Sequence, residues 1–128
     1  MNQRIYLNEI LDIVSTYYNV SESDIKSKSR LRRYVIPREK YAYLAIQYTG
    51  LTFEKISSFI NRNHATIIYF NTKVKDELIN YDDTKEDISK LSILIDEYIS
   101  NNVFSESSFV IPRHIDLLKL LKKWHLKN

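Results

Sequence analysis

The stretch that decides the fold is TFEKISSFINRNHATII, residues 52–68. Thr52 is a typical N-cap residue, and the apolar residues behind it at helical spacing predict a short helix. Those apolar residues are Phe53, Ile56, Phe59 and Ile60. Residues 61–63 predict a tight polar turn, and a longer helix begins at Asn63 or His64 and extends to about Asn80. A short helix, a tight turn and a longer helix together predict a helix-turn-helix.

The longer helix opens with side chains that suit contacts to base edges and phosphates. Arg62, Asn63 and His64 supply hydrogen-bond donors and acceptors, and a helix start that faced a core would not need them in sequence. Ala65 and Thr66 follow them. The helix then becomes apolar along the stripe Ile67, Phe70 or Asn71, Val74 and Leu78. This pattern favours a recognition helix over an ordinary helical corner.

Upstream of this pair, apolar spacing predicts helices over about residues 4–18, 22–27 and 37–48. Pro37 suits the first position of the third helix, and Gly50 suits its left-handed C-cap. The basic residues 28–33 lie between the second and third helices and have little apolar periodicity. They are therefore expected to form a loop or a frayed turn.

Downstream, a helix beginning near Thr84 has an apolar stripe formed by Ile88, Leu91, Leu94, Ile95, Tyr98 and Ile99. Residues 101–108 are expected to form a polar loop. Pro112 is expected to open a last helix with Ile115, Leu118, Leu121 and Trp124 on one face. No segment is predicted to be a strand, so the fold is expected to be all-α, a small helical bundle of about seven helices.

Composition excludes several classes of site. The 128 residues contain one Gly and no Cys. Glycine-built phosphate loops, disulfides, zinc knuckles and thiol nucleophiles are therefore excluded. No pair of His has metal-ligand spacing beside a carboxylate, so no metal site is expected. No apolar run reaches the roughly 18–20 residues of a membrane span, and no signal peptide is recognised. We expect no membrane association and a cytoplasmic protein.

Charge is distributed unevenly along the chain. Residues 26–40 contain seven basic side chains and one acid, whereas residues 76–108 contain nine acids and two lysines. A dense basic segment beside an acidic one suggests a face that binds a polyanion and a face that does not. A solvated helix surface is the alternative that charge alone leaves open.

Residues 10–78 resemble the C-terminal DNA-binding domain of the bacterial replication initiator DnaA, which contains a Trp-repressor-like helix-turn-helix. Five features match in the same order. They are Tyr17-Tyr18 before Val20, the basic loop Ser27-Lys28-x-Arg30-x-Arg32, Pro37-Arg38, Leu51-Thr52 with Ile56, and the block of residues 62–68. The last block is similar to the family signature Gly-Arg-Asp-His-(Ser/Thr)-Thr-Val.

The resemblance implies that the ligand is duplex DNA with a motif called the DnaA box. It implies that Arg30 enters the minor groove. It assigns nearby phosphate contacts to Lys28, Arg32, Arg33 and Arg38. It places Arg62, Asn63, His64, Ala65 and Thr66 in the major groove. The N-terminus of the helix capped by Thr52 is expected to lie on a phosphate, which its free N–H groups favour.

Departures from the family pattern alter these expectations. Asn63 replaces the signature Asp, and Asn suits adenine whereas Asp accepts from cytosine. Ala65 replaces a hydroxyl residue but retains a methyl group that packs on thymine. Glu39 is expected to repel a nearby phosphate. The ATPase motor of full initiators is not found in the sequence, so we expect no nucleotide, no cofactor and no enzymatic activity.

The sequence therefore predicts a DNA-binding domain over residues 1–80 and a two-helix extension over residues 81–128. The extension is expected either to pack on the bundle or to form a homodimer. The predicted function is sequence-specific binding of double-stranded DNA, in replication-origin binding or regulation or in transcription regulation. The alternative is a protein-interaction module that docks onto a replication or transcription partner.

Overall fold

The structure, a computed structural model, describes residues 5–105 of the chain, with side chains up to residue 101. Within that range the chain forms six helices and no strand. The helices are α1 (Leu7–Tyr18), α2 (Glu22–Lys26), α3 (Arg32–Thr49), α4 (Phe53–Phe59), α5 (His64–Asn80) and α6 (Asp82–Ser105). The all-α fold is confirmed for these residues, and the helix predicted after Pro112 lies outside them.

Helix ends follow the local signals in the sequence. Asn19 and Gly50 end α1 and α3 in the left-handed conformation, with φ of 57° and 67°. Thr52 caps α4 by accepting a hydrogen bond of 3.2 Å from the backbone N–H three residues later. The Asn63 Oδ1 caps α5 in the same way at 2.8 Å. These side chains satisfy N–H groups that have no partner inside their helices.

The start of α3 differs from the prediction. The helix begins at Arg32, so Pro37 lies in its second turn and not at its first position. Proline has no backbone N–H, so the helix loses only the hydrogen bond that residue 37 would donate to the carbonyl of Arg33. The expected loop over residues 28–33 therefore ends early, and its last two arginines belong to the first turn of a helix.

α3 occupies the centre of the bundle and packs against α1, α2, α4 and α5. Its buried face includes Tyr41, Leu44 and Ala45, each at most 1% exposed. The partner helices contribute buried aliphatic side chains: Ile10, Leu11, Val14, Ile25, Ile56, Ile67 and Val74. Burial of each large aliphatic side chain stabilises the fold by about 1.5–3 kcal/mol.

α6 packs against α1 and α5 and completes this core. Leu91, Leu94 and Ile95 are fully buried. Tyrosine hydroxyls add polar contacts, since Tyr17 donates to Asp87 at 2.8 Å and Tyr98 donates to a carboxylate of α1 at 2.5 Å. α6 continues to Ser105, so residues 101–105 of the predicted loop over residues 101–108 are helical, and the prediction is wrong there.

Candidate nucleic-acid interface

The first turn of α5 is exposed and polar. His64 and Ala65 are both exposed, and Asn63 stands just before them at the cap. The Asn63 Oδ1 accepts from the backbone N–H of Thr66 at 2.8 Å and from its hydroxyl at 2.9 Å. The oxygen of the Asn63 amide is therefore occupied by capping, and its NH₂ group is the part available to a ligand.

We call residues 28–33, which lead from the end of α2 into the first turn of α3, the basic segment. Its four cations are exposed to solvent: Lys28, Arg30, Arg32 and Arg33. Within residues 5–101 none of them forms an ion pair. Arg33 lies over the ring of Tyr34, with 5.2 Å between the guanidinium carbon and the ring centroid. The segment thus presents a high density of positive charge that nearby carboxylates do not neutralise.

A cleft joins this basic segment to the helix-turn-helix. Its volume is about 540 Å³, and it is lined by Lys28, Ser58, Asn61, Arg62, Asn63 and Thr66. Asn61 turns the chain at the end of α4 with a left-handed φ of 62°. The cleft therefore brings a cation of the basic segment beside the cap of α5, although 35 residues separate Lys28 from Asn63 in the sequence.

Arg38 does not fit the phosphate contact predicted for it. The residue is 3% exposed, and its guanidinium donates hydrogen bonds to the backbone carbonyls that end α2 and follow it. The bond lengths are 2.6 Å to Ile25, 3.1 Å to Ser29, 3.3 Å to Asp24 and 3.0 Å to Ser27. Burial, followed by the charge of Arg62, lowers the pKa of Arg38. Its donors are used to hold the chain, so we correct its role to a structural one.

Arg62 is half-buried and also bonds to backbone carbonyls. Its Nη1 donates to the carbonyl of Lys26 at 3.2 Å, and its Nη2 donates to that of Ser27. Nη1 also lies within hydrogen-bond distance of the carbonyls of Ile60 and Asn61, at 3.4 Å and 3.1 Å. Burial lowers the pKa of the Arg62 guanidinium. Arg62 is therefore turned toward the basic segment in the free protein.

Thr52 is exposed, and its hydroxyl is used to cap α4, a helix of seven residues. Lys55, in the first turn of that helix, is also exposed. The phosphate contact predicted at this end of α4 remains a prediction.

Sequence reasoning missed a network of charged side chains where α3, α5 and α6 meet. Lys73 binds Glu39 at 2.8 Å, and Lys40 binds Glu77 at 3.3 Å. Thr84 donates to Glu77 at 3.2 Å. Glu39 and Lys40 are 2% and 4% exposed, so Glu39 is a buried ion-pair partner rather than a residue facing phosphate. We call Glu39, Lys40, Lys73 and Glu77 the charge junction.

The charge junction borders a cleft of about 580 Å³ that also includes Arg32 and Asp83. The pKa of Glu77 lies below its usual 4.5, because the ion pair with Lys40 and hydrogen bonds from Lys40 and Thr84 outweigh the opposing effect of burial. The pKa of Lys73 is raised by its hydrogen bond to Glu39. The junction thus consists of mutually satisfied charges. Among the described residues, no three His, Asp or Glu side chains are arranged to hold a metal ion.

Within residues 5–105, every helix is too short or too polar to span a lipid bilayer.

Comparison of the sequence with known proteins shows which family this part of the chain resembles. The model described as "Bacterial dnaA protein helix-turn-helix" matches residues 7–74. The chromosomal replication initiator protein DnaA of Limosilactobacillus reuteri is 33% identical over 79 residues, which are 61% of this chain and 18% of that protein. The protein of the same name from Onion yellows phytoplasma is 32% identical over 69 residues, 54% of this chain and 14% of that protein. The protein of that name from Lactobacillus helveticus is 25% identical over 96 residues, 74% of this chain and 21% of that protein.

The matched segment thus spans about a fifth or less of the length of these relatives. The family model covers α1 to α4 and most of α5, including the basic segment and the turn before α5. The chain belongs to the family of the bacterial DnaA helix-turn-helix.

Proposed function

We propose that the protein binds double-stranded DNA in a sequence-specific manner. The contact surface would consist of the exposed basic segment and the first turn of α5, that is Lys28, Arg30, Arg32, Arg33, Asn63, His64, Ala65 and Thr66, together with the Thr52 end of α4. We call this the candidate DNA surface. Arg30 would enter the minor groove, and the first turn of α5 would enter the major groove.

One observation supports this proposal more than any other: the cleft that places Lys28 beside Asn63 and Thr66. A protein that reads the major groove also needs cations that hold the flanking phosphates, because phosphate contacts fix its position on the duplex. The cleft brings both kinds of group to one surface. Membership of the DnaA helix-turn-helix family supports the same assignment.

The electrostatics of α3 also favour an anionic ligand. Arg32 and Arg33 occupy its first turn, which contains no acidic residue. The N-terminus of a helix has partial positive charge, so two cations there are unfavourable unless an anion is near. A backbone phosphate of DNA would supply that anion and bind the unpaired N–H groups as well.

Asn63 and Ala65 would set the base preference. The Asn63 oxygen is used by the cap, so its NH₂ group would donate to an acceptor on a base edge. The Ala65 methyl group is exposed and would pack on the methyl group of thymine. Both differ from the family signature, so the preferred site would differ from the family's box at the contacted positions.

The biological role that fits best is binding or regulation at a replication origin, because the relatives are named as chromosomal replication initiators. Occupancy of the same sites would also permit transcription regulation. We propose no enzymatic step, no nucleotide and no cofactor for the described residues.

Docking onto a protein partner is the second candidate. It is favoured by the large apolar side chains of Ile79 and Tyr81, which lie where α5 ends and α6 begins and are 74% and 60% exposed. Self-association through the apolar stripe of α6 has less support, since Leu91, Leu94 and Ile95 are buried against the same chain. The second half of the extension lies outside the described residues.

Fluorescence anisotropy with two duplexes tests the proposal. One carries the DnaA box and the other its scrambled sequence, and both are titrated across salt concentrations. We expect preference for the box or a close variant, with an affinity that falls steeply with salt because counterions are released. Absence of binding to either duplex at low salt would contradict the proposal and leave docking through Ile79 and Tyr81 as the explanation to test.

A further inference from the structure

We infer that Arg62 is a positioning residue: it joins the basic segment to the helix-turn-helix so that the minor-groove and major-groove elements keep a fixed spacing. This inference rests on the proposed function and replaces the direct base contact expected for Arg62. Its two terminal nitrogens donate to the carbonyls of Lys26 and Ser27, which end α2 and lead into the basic segment.

The connection is made at both of its ends. Nη1 of Arg62 also approaches the carbonyls of Ile60 and Asn61, in the turn that precedes α5. One planar guanidinium therefore bonds the turn of the helix-turn-helix to a segment 35 residues earlier. The rigid fork of Arg suits such divided bonding, whereas the single ammonium of Lys does not.

Two neighbouring contacts also fix the start of the basic segment against the helices. Arg38, which belongs to α3, donates to the same Ser27 carbonyl at 3.0 Å. The Lys26 ammonium lies 4.1 Å from the ring centroid of Phe59, at the end of α4. The chain that enters the basic segment is thus held by α3, by α4 and by the turn before α5. Lys28 and Arg30, immediately after it, are the side chains whose reach depends on that attachment.

The consequence for DNA binding is specific. A duplex fixes the distance between its two grooves, so a protein whose two elements already stand at that distance loses less free energy to ordering when it binds. Arg62 would contribute to affinity only through Lys28 and Arg30. A direct contact from Arg62 to a base or phosphate would contribute whether or not those side chains are present.

A double-mutant cycle separates these cases. Arg62→Lys retains the positive charge but cannot maintain the divided bonding. It is measured in the wild-type background and in a background with Lys28→Ala and Arg30→Ala, by anisotropy on the DnaA-box duplex at low salt. We expect Arg62→Lys to weaken binding by about 5- to 150-fold in the first background. We expect it to change binding less than about twofold in the second.

Modified bases supply a readout that a general loss of structure would not give. Diaminopurine in place of adenine adds an amino group to the minor groove alone, and 7-deazaadenine removes an acceptor from the major groove alone. Each modified base is expected to lower the affinity of the wild-type protein for the duplex. We expect Arg62→Lys to make the loss of affinity caused by diaminopurine smaller and to leave the loss caused by 7-deazaadenine unchanged. Lys85→Ala, on the exposed start of α6, is the matched control for a change at a surface cation.

Phe59→Leu provides a second variant should Arg62→Lys fail to fold. It removes the ring under Lys26 without touching Arg62, and we expect the same pattern with a smaller loss. An equal loss for Arg62→Lys in both backgrounds, or no loss in either, would overturn the inference.

The free protein gives a test that does not depend on the proposed function. Amide hydrogen exchange at residues 26–31 should be faster in Arg62→Lys than in the wild type, because the segment loses its attachment. Unchanged exchange there would overturn the inference. Failure of the wild-type protein to bind duplex DNA, with faster exchange in the variant, would instead overturn the proposed function alone.

Discussion

The charge junction and the candidate DNA surface are both rich in charged side chains, but they use those charges differently. At the junction, Lys40 and Glu39 are almost fully buried and each has an oppositely charged partner. At the candidate DNA surface, Lys28 and Arg30 are exposed and make no ion pair within residues 5–101. The partners of the charged side chains, not their residue types, therefore distinguish a structural charge cluster from one that is available to a ligand.

The arginines of the helical bundle divide in the same way. Arg32 and Arg33 point their charge to solvent, whereas Arg38 and Arg62 donate to backbone carbonyls of residues 24–29. Arg38 and Arg62 thus hold the chain that precedes the exposed arginines of α3. A guanidinium offers five donors in a fixed fork, so one side chain can bond several carbonyls that have no helical partner.

The largest effect on stability is expected from loss of a cation at the junction. Lys73→Met would leave the buried carboxylate of Glu39 without its partner at 2.8 Å. Removal of one member of a buried ion pair leaves an uncompensated charge, so we expect the free energy of unfolding to fall by about 3 kcal/mol.

Urea denaturation measures this loss. Lys75→Met, an exposed lysine on the same helix, is the control and should change stability by about 0.5 kcal/mol or less. Equal effects of the two substitutions would show that the junction is not a set of structural pairs.

The next effect concerns base preference at the candidate DNA surface. Asn63→Asp retains an oxygen for the cap of α5 but replaces the NH₂ donor with an acceptor. We expect preference to move from adenine toward cytosine by about 1–3 kcal/mol at one position, with stability almost unchanged. Selection of bound sequences from random duplexes, performed with both proteins, measures the change. Identical selected sequences would mean that Asn63 only caps the helix.

A smaller effect is expected from one exposed cation. Lys28→Ala should weaken binding to all duplexes about equally and lower the slope of log affinity against log salt by about one. Thermal unfolding should hardly change, since the side chain is exposed. Lys85→Ala, outside the candidate DNA surface, should leave the salt slope unchanged. An equal decrease of the salt slope in both variants would show that Lys28 contributes no more to DNA binding than Lys85 does.

The smallest effect is the acid sensitivity of the junction. The folded-state pKa of Glu77 is below its usual 4.5, so its stabilising contribution is present above that value and is lost as pH falls through the folded pKa. We expect stability to fall below about pH 4.5. Glu77→Gln should show a weaker fall over the same range in urea titrations. An identical pH profile for the variant would remove Glu77 as the cause.

Helix identities and caps were predictable because their signals are local. Thr52 and Gly50 each act within three or four residues and cap their helices as predicted, and α5 begins at His64, one of the two starts predicted. The apolar stripe of α5 was predictable for the same reason, and both of the alternatives left open, Phe70 and Asn71, are buried.

The role of Arg38 was not predictable in this way. A basic residue beside Pro37 in a basic segment has the pattern of a surface cation. Its burial arises because the carbonyls of residues 24–29 fold over it, and that arrangement depends on how α2 meets α3. The charge junction has the same origin, since its partners are 34 and 37 residues apart in the chain.

Chemical-shift mapping of the labelled protein with a DnaA-box duplex shows which residues contact DNA. We expect the amide signals of residues 28–33 and 63–66 to shift on addition of the duplex, while those of Lys40, Leu91 and Leu94 stay in place. Shifts confined to α6 and the junction, or no shifts at low salt, would contradict the claim that the exposed cations and the first turn of α5 form the DNA-binding surface.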